Sequence, residues 1–569
     1  MRIWVAALMF CWGLFAQPQD LLTVFEKGDG NQSAIYRETM DYYQMLAARF
    51  PTVKVTQMGL TDSGEPLHLV LFDPGKTFRR EGRATVLINN GIHAGEPDGI
   101  DASMMLVRDL ALGKIKMTGN VLVAVIPVYN IGGALNRNST SRVNQEGPRE
   151  YGFRGNARNF DLNRDYVKAD SRNTRSFYRI YHELDPDVFI DNHVSNGADY
   201  QYVLTYIMTQ PDKLGPVLGK YLKDQMMPQL ARDLKRKKLE ITPYVNAWGT
   251  TPEKGFAQFF ESPRYATGYT ALFNTLGFVV ETHMLKPYPQ RVAATYEFMV
   301  SVLDFTAGES RAIRAKRQEN ADYFARASTA VIQWELDSTI VERLEFRGYE
   351  AGKIKSSATT GDRLFYDRKK PYVKQIPFYP SYRPAKEVTM PQAYVVPRSQ
   401  WHVRELLDLN KVQYRELAQD TAMLVSAYRI IDYKTANQAY EGHYPHRDTR
   451  VSSTSEHVTF RAGDLLVTTS QPARRYLPQV LEPEAQDSFF NWNFFDAILQ
   501  QKEHYSDYVF EDLAAEYLKN NPGVKQRFDR EMANNPEFAA SPRKQLDWIY
   551  KNSPHYERDH MRYPIYRID

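Results

Sequence analysis

His93 and Glu96 stand three residues apart in Asn90-Gly91-Ile92-His93-Ala94-Gly95-Glu96, and His193 and Glu281 follow at long intervals. Two histidines and one carboxylate are a common catalytic zinc set that leaves a fourth position for water, and a further carboxylate can then serve as the base. A pair at i and i+3 projects from one side of a turn opening a helix, so His93 and Glu96 can hold the same ion. Each of these residues ends a short apolar run. Residues 84–92 lead into His93, residues 187–192 into His193, and residues 276–280 into Glu281. Runs of this kind, bounded by turn residues, predict strands buried on both faces, and in α/β sheets sites gather at the carboxyl ends of such strands. Residues 97–110 carry helical periodicity with an early proline, so the HxxE turn should open a helix.

Four stretches, NNGIHAGEPDG, FDLNRDY, FIDNHVSN and GFVVETHM, occur in one order along the chain. On these motifs the chain resembles the zinc metallocarboxypeptidases of the carboxypeptidase A type, over roughly residues 30 to 310. The resemblance implies one zinc per chain held by His93, Glu96 and His193, with Glu281 as general base. It implies that Asp161 orients a ligand histidine, and that Asn163 and Arg164 hold the terminal carboxylate of a peptide substrate. The residue types suit these roles. A ligand histidine usually donates its other N–H to a carboxylate, and a guanidinium fork matches a carboxylate with two hydrogen bonds. Zinc acidifies bound water and polarises the scissile carbonyl.

The chain also departs from the family pattern. Where an arginine often precedes the ligand glutamate, it has Gly95. An arginine upstream of the DxNR motif is expected to polarise the carbonyl. Arg142 matches best, in competition with Arg137, Arg149, Arg154 and Arg158. A tyrosine preceding the catalytic glutamate is expected to cap the substrate, and Tyr265 and Tyr269 are the candidates.

With 569 residues, 43% hydrophobic and 25% charged, the chain has ordinary globular composition and exceeds one core, so two or three domains are expected. The net charge of +4 is spread along it, and its densest basic run, Lys235-Arg236-Lys237-Lys238, reads as a solvated helix face, with no nucleic-acid module in view. Arg2, the apolar segment 3–15 and Ala16-Gln17-Pro18 read as a cleaved secretion signal ending at Ala16, which places the mature protein in the periplasm or outside the cell. The single cysteine, Cys11, falls inside that segment, so the mature chain would have neither disulfides nor thiolate metal sites, nor any stable membrane insertion.

Residues 17–310 alternate strand-like and helix-like segments, which predicts an α/β catalytic domain built on a mixed, mostly parallel sheet with helices on both faces. A helical exit from 307 to 327 should lead to a small β region reaching 390, with strands at 332–336 and 364–366. An α+β accessory domain should occupy 391–569. Within it, the aromatic run 488–495 reads as core, and His443 and His446 as a polar loop rather than a second metal site. Three functions fit: a secreted carboxypeptidase, a cell-wall peptide amidase or amino-acid deacylase on the same zinc scaffold, and a non-catalytic binding protein. Intact Glu281 speaks against the last, and Asn163 with Arg164 favours a substrate with a free carboxylate.

Overall fold

The computed structural model describes residues 19–569; the signal-like leader and Cys11 lie outside the described residues. The three apolar runs form β3 (Ala84–Asn90), β5 (Val188–Ser195) and β8 (Leu276–His283). β3 and β5 are buried at every position, while β8 is buried except at Glu281. They are the parallel centre of an eight-stranded sheet. With β1 (Val53–Leu60), β2 (Pro66–Phe72), β4 (Val121–Ile126), β6 (Leu204–Met208) and β7 (Ile241–Pro243), its order is β1-β2-β4-β3-β5-β8-β6-β7. Antiparallel pairing enters through β1–β2, β2–β4 and β6–β8, so the sheet is mixed as expected.

The period-2 alternation of the central strands assigns each face its own core. Val86, Ile88, Val188 and Ile190 join the cluster that includes Ile100, Leu106 and Val107 of α2 (Asp98–Ala111) and Phe298 and Val302 of α5 (Tyr288–Arg326). Phe189, between Val188 and Ile190, meets Phe177 of α3 (Arg172–Leu184), which stacks on Tyr181 beside Tyr269. Helices thus cover both faces. The register places Asn192 opposite Val280 and His193 opposite Glu281, which brings two of the singled-out residues together at the sheet's carboxyl end.

The helix expected from 307 to 327 is the second half of α5, one unbroken element of 39 residues. After it, Thr329–Leu336 pairs with Tyr382–Thr389, and the long strands Glu342–Lys355 and Asp362–Tyr379 form a hairpin extended by Phe256–Ala257. The first compact unit runs to Met390 and also takes in 402–413 and 470–479; the second comprises 391–401, 414–469 and 480–569. The second unit carries a six-stranded sheet with the hairpin Thr421–Thr435 and His446–Phe460, and helices including Asp507–Asn520, Pro522–Asn534 and Pro542–Lys551. Phe489, Phe490, Trp492 and Phe495 are buried in it, as a core reading requires. No described helix is long and apolar enough to cross a membrane.

Candidate metal centre and substrate site

The HxxE turn sits where β3 stops and α2 begins. His93 is 4% exposed, Glu96 2% and His193 3%, so a cluster of polar side chains is buried at one point, which demands compensation. His93 Nδ1 lies 3.2 Å from His193 Nδ1 and 3.2 Å from Glu96 Oε1, and His193 Nδ1 lies 3.1 Å from Glu96 Oε2. Two ligands at the usual zinc distance on a tetrahedron are roughly 3.3 Å apart, so each edge of this triangle fits that ion. Each ring's other nitrogen is turned to a carboxylate: His93 Nε2 to Asp161 Oδ1 at 3.0 Å and His193 Nε2 to Asp191 Oδ2 at 3.0 Å. An ionised carboxylate only accepts, so both Nε2 atoms carry a proton and both Nδ1 atoms face inward, where a metal ion could take their lone pairs. Among the described residues this is the one grouping of three such side chains close enough to share an ion. His443 and His446 form no such group: His446 bonds Thr435 and Asp496, and His443 meets the edge of Trp492.

Electrostatics keep the set charged. Burial opposes the charge on Glu96, but His93, Arg142 and His193 outweigh it and hold its carboxyl well below the usual range. Burial likewise opposes charge on His193, but Asp191 and Glu96 lift it well above an ordinary histidine, so an ion bound at Nδ1 must displace a proton there. Val194 N–H donates to Glu96 Oε2 at 2.9 Å, which ties the ligand from α2's turn to β5.

Glu281 is partly buried and its Oε2 is sequestered without a hydrogen-bond partner. Burial, and then the charge of Glu96, push its carboxyl up to about 8 against the pull of His193. A lone pair free to accept, opposite a metal ligand, is what a general base needs. A cation among the three ligands would draw that carboxyl back to its ionised form.

Asp161 caps the one-turn 3-10 helix Leu162–Arg164, receiving Asn163 N–H at 2.9 Å on the same Oδ1 that accepts from His93. Asn163 Oδ1 accepts from Ala266 N–H at 3.2 Å, which fixes the amide with its NH2 group turned elsewhere. The Arg164 guanidinium lies 4.3 Å from the Tyr265 ring centre, held flat by that face. Tyr265 therefore stands against Arg164. Tyr269 does not: it is fully buried in the aromatic core, with its hydroxyl bonded to His182 and Asn410, so its candidacy as a substrate cap is withdrawn. Tyr244, which the sequence reading passed over, feels the charges there: burial, then Glu281, Tyr200 and Glu96, raise its phenol.

Of the competing arginines, two reach the metal ligands. Arg142 Nη2 lies 2.9 Å from Glu96 Oε1, and Arg154 bonds Asp161 at 2.8 Å with Nη1 3.4 Å from His93 Nδ1. Arg137 binds around Ser33 and Glu150, Arg149 pairs with Asp29, and Arg158 caps Asp170, all elsewhere. The glycine preceding Glu96 now has a reason. A Cβ at Gly95 would sit 2.6 Å from Arg142 Cδ and 2.8 Å from Gly152 O, so Arg142 crosses the space a side chain at 95 would need.

Two further groups escaped the sequence reading. Asp191 was legible in principle, because residues two apart on a strand share a face. The second is a buried knot that no local pattern signals. Asp98 Oδ2 accepts from Thr282 Oγ1 and from Arg291 Nε at 3.0 Å, while Arg291 also donates to the carbonyls of Glu146, Gly147 and Met284. It joins α2, the strand of Glu281, α5 and the loop that follows Arg142.

Residues 39–188 match the family model described as zinc carboxypeptidase. Carboxypeptidase 2 of Trichophyton rubrum is 21% identical over 422 residues, covering 71% of this chain and 72% of its own, and Carboxypeptidase 2 of Trichophyton equinum is 21% identical over 428 residues, with the same coverage. Among solved structures, carboxypeptidase A from Helicoverpa armigera is 16% identical with a TM-score of 0.38, over 50% of this chain and 74% of that one. A metallo-carboxypeptidase from Burkholderia cenocepacia is 16% identical with a TM-score of 0.36, over 47% and 68%.

Proposed function

For a chain that carries the zinc carboxypeptidase segment from 39 to 188, we propose that it is a zinc-dependent enzyme removing the C-terminal residue of peptides, with His93, Glu96 and His193 as ligands and Glu281 as base. The carrying observation is the ligand triangle with edges of 3.1–3.2 Å, each ring backed by its own carboxylate. Zinc bound there supplies Lewis acidity to the scissile carbonyl and to water.

The chain's own residues do the rest. Arg164 takes the substrate's terminal carboxylate with its fork, and the Tyr265 face keeps that fork in plane. The Asn163 amide adds a donor, its oxygen being occupied by Ala266 N–H. Held there, the last peptide bond lies towards the ligands. Arg142 and Arg154 set positive charge beside Glu96, on the side where the carbonyl oxygen gains charge as water adds. Glu281 Oε2 takes one proton from the attacking water and passes it to the amine as the C–N bond breaks. Asp161 and Asp191 keep the histidine tautomers fixed throughout.

The test is kcat/KM on a matched peptide pair, free acid against amide. A site built round a charged contact rejects an analogue lacking it by roughly 10⁴-fold. Arg164→Ala should lose the acid and narrow that gap, and Arg164→Lys should restore part of it. Equal rates on acid and amide in the wild type would overturn exopeptidase action and point to amidase chemistry on the same scaffold. Export rests on the first sixteen residues; the mature N-terminus should lie near Gln17, and a cytosolic chain retaining Met1 would refute it.

A further inference from the structure

The amino ends of the central strands carry a feature the reaction does not use. Residues leading into β3 and β5, Asn274 before β8, the second half of α5 and the segment 470–475 of the same unit enclose a cavity of about 1140 Å³. Seven arginines line it against four acidic residues. Glu281 and His193 each stand five positions past the first residue of their strands, roughly 17 Å further along the sheet.

The acids do not neutralise the arginines. Asp185 and Asp187 are taken up by Arg317 at 2.8 Å each, and Arg80 shares Asp185 at 2.7 Å. Arg83 pairs with Asp73 outside the cavity lining. Arg311 and Arg314, one turn apart on α5 and both exposed, make no ion pair or hydrogen bond among the described residues. Arg475 donates to neutral oxygens: Lys213 O at 2.6 Å, Ala271 O at 2.7 Å, Asn274 Oδ1 at 2.9 Å and Leu214 O at 3.3 Å. Its guanidinium lies 3.8 Å from the Phe324 ring centre, and burial alone holds it down to about 9. A desolvated cation without a counter-charge is costly, and an anion brought beside it offsets that cost. The remaining acids, Glu81 and Asp322, leave the lining net positive.

We propose that this cavity is a binding site for an oligophosphate, gripped by Arg311 and Arg314 of α5, with Arg475, stacked on Phe324 of the same helix, adding positive charge. Guanidinium forks two hydrogen bonds wide match phosphate oxygens, and two of them one turn apart match successive tetrahedral groups better than one planar carboxylate. The volume is that of a site for a ligand larger than orthophosphate. An anion here is remote from the metal ligands, so it binds without entering the reaction.

The test is titration calorimetry of the full-length, zinc-loaded protein with inorganic tripolyphosphate, against sulfate and citrate at matched ionic strength. Saturable one-to-one binding of tripolyphosphate is expected, at least ~10-fold tighter than either control. The double variant Arg311→Ala/Arg314→Ala, exposed and unpaired and so expected to fold, should weaken it at least ~10-fold with kcat/KM on peptides unchanged. Arg475→Lys, if it folds, should weaken it too. Tripolyphosphate that merely stripped zinc would act equally on the double variant, whose metal site is intact. That outcome, or absence of saturation, or parity with sulfate, overturns the proposal. The binding titrations do not depend on peptidase activity, so the two readings fail separately.

Discussion

At the residue scale the site is two layers deep, and the outer layer is as exposed to test as the inner. Asp191 touches no substrate, yet it fixes which nitrogen of His193 carries the proton. Losing such a partner typically costs 10–100-fold in metal affinity. Asp191→Asn should therefore weaken zinc binding by about that factor in a competitive chelator titration, while His193→Ala should abolish it. Unchanged affinity in Asp191→Asn would mean the backing carboxylate is idle. Glu281→Gln is nearly isosteric and removes the proposed proton acceptor. It should keep full zinc stoichiometry and lose on the order of 10² to 10⁴ in kcat. Near-normal turnover would show that another group activates the water.

At the element scale, the site depends on how α2, β8 and α5 are locked together. Arg291 is fully buried and pairs with Asp98, two residues beyond Glu96, which also accepts from Thr282 beside Glu281. Removing one partner of a buried pair strands the other and costs about 3–5 kcal/mol. Arg291→Gln should show that loss in denaturant unfolding together with weaker zinc retention, and a variant as stable as wild type would mean the knot carries no energy. A second lock is pH-sensitive. Asp101 of α2 accepts from Tyr288 Oη of α5 and Ala34 N–H, and burial pushes its carboxyl up to about 7. The native state then holds a proton that the unfolded chain releases near 3.9. This contribution is complete below pH ~4 and is lost as pH rises towards 7. In melting experiments from pH 4 to 8, Asp101→Asn should lack that downward slope, so the gap between variant and wild type should change with pH. A constant gap would remove Asp101 from the account.

At the scale of the whole molecule, the first unit is not a contiguous stretch. Asn410 accepts from Tyr269 Oη at 2.7 Å beneath α3, and Arg475 closes over the carbonyls of Lys213 and Ala271. A chain cut after Met390 keeps every residue proposed for the metal centre and the peptide site but strands these buried partners. It should be markedly less soluble and melt well below the full chain, by several degrees per kcal/mol lost. A stable, zinc-binding 17–390 fragment would show that the returning segments are dispensable.

The sequence by itself determined the local facts. Buried runs at 84–92, 187–192 and 276–280 announced central strands, and HxxE spacing announced a shared ligand turn, because periodicity and spacing are written in neighbouring residues. The mixed sheet and the convergence of His93, Glu96 and His193 followed from them. What only the tertiary structure decided were choices among like residues far apart in the chain. Tyr265 and Tyr269 are four residues apart on one short segment, yet one faces Arg164 and the other the aromatic core. Five arginines competed for one role, and the path of the chain after β4 brought Arg142 and Arg154 to Glu96. Arg291, Asp98 and Thr282 meet only because three elements pack there. Burial of a polar group is fixed by which distant surface covers it, and no local pattern carries that information.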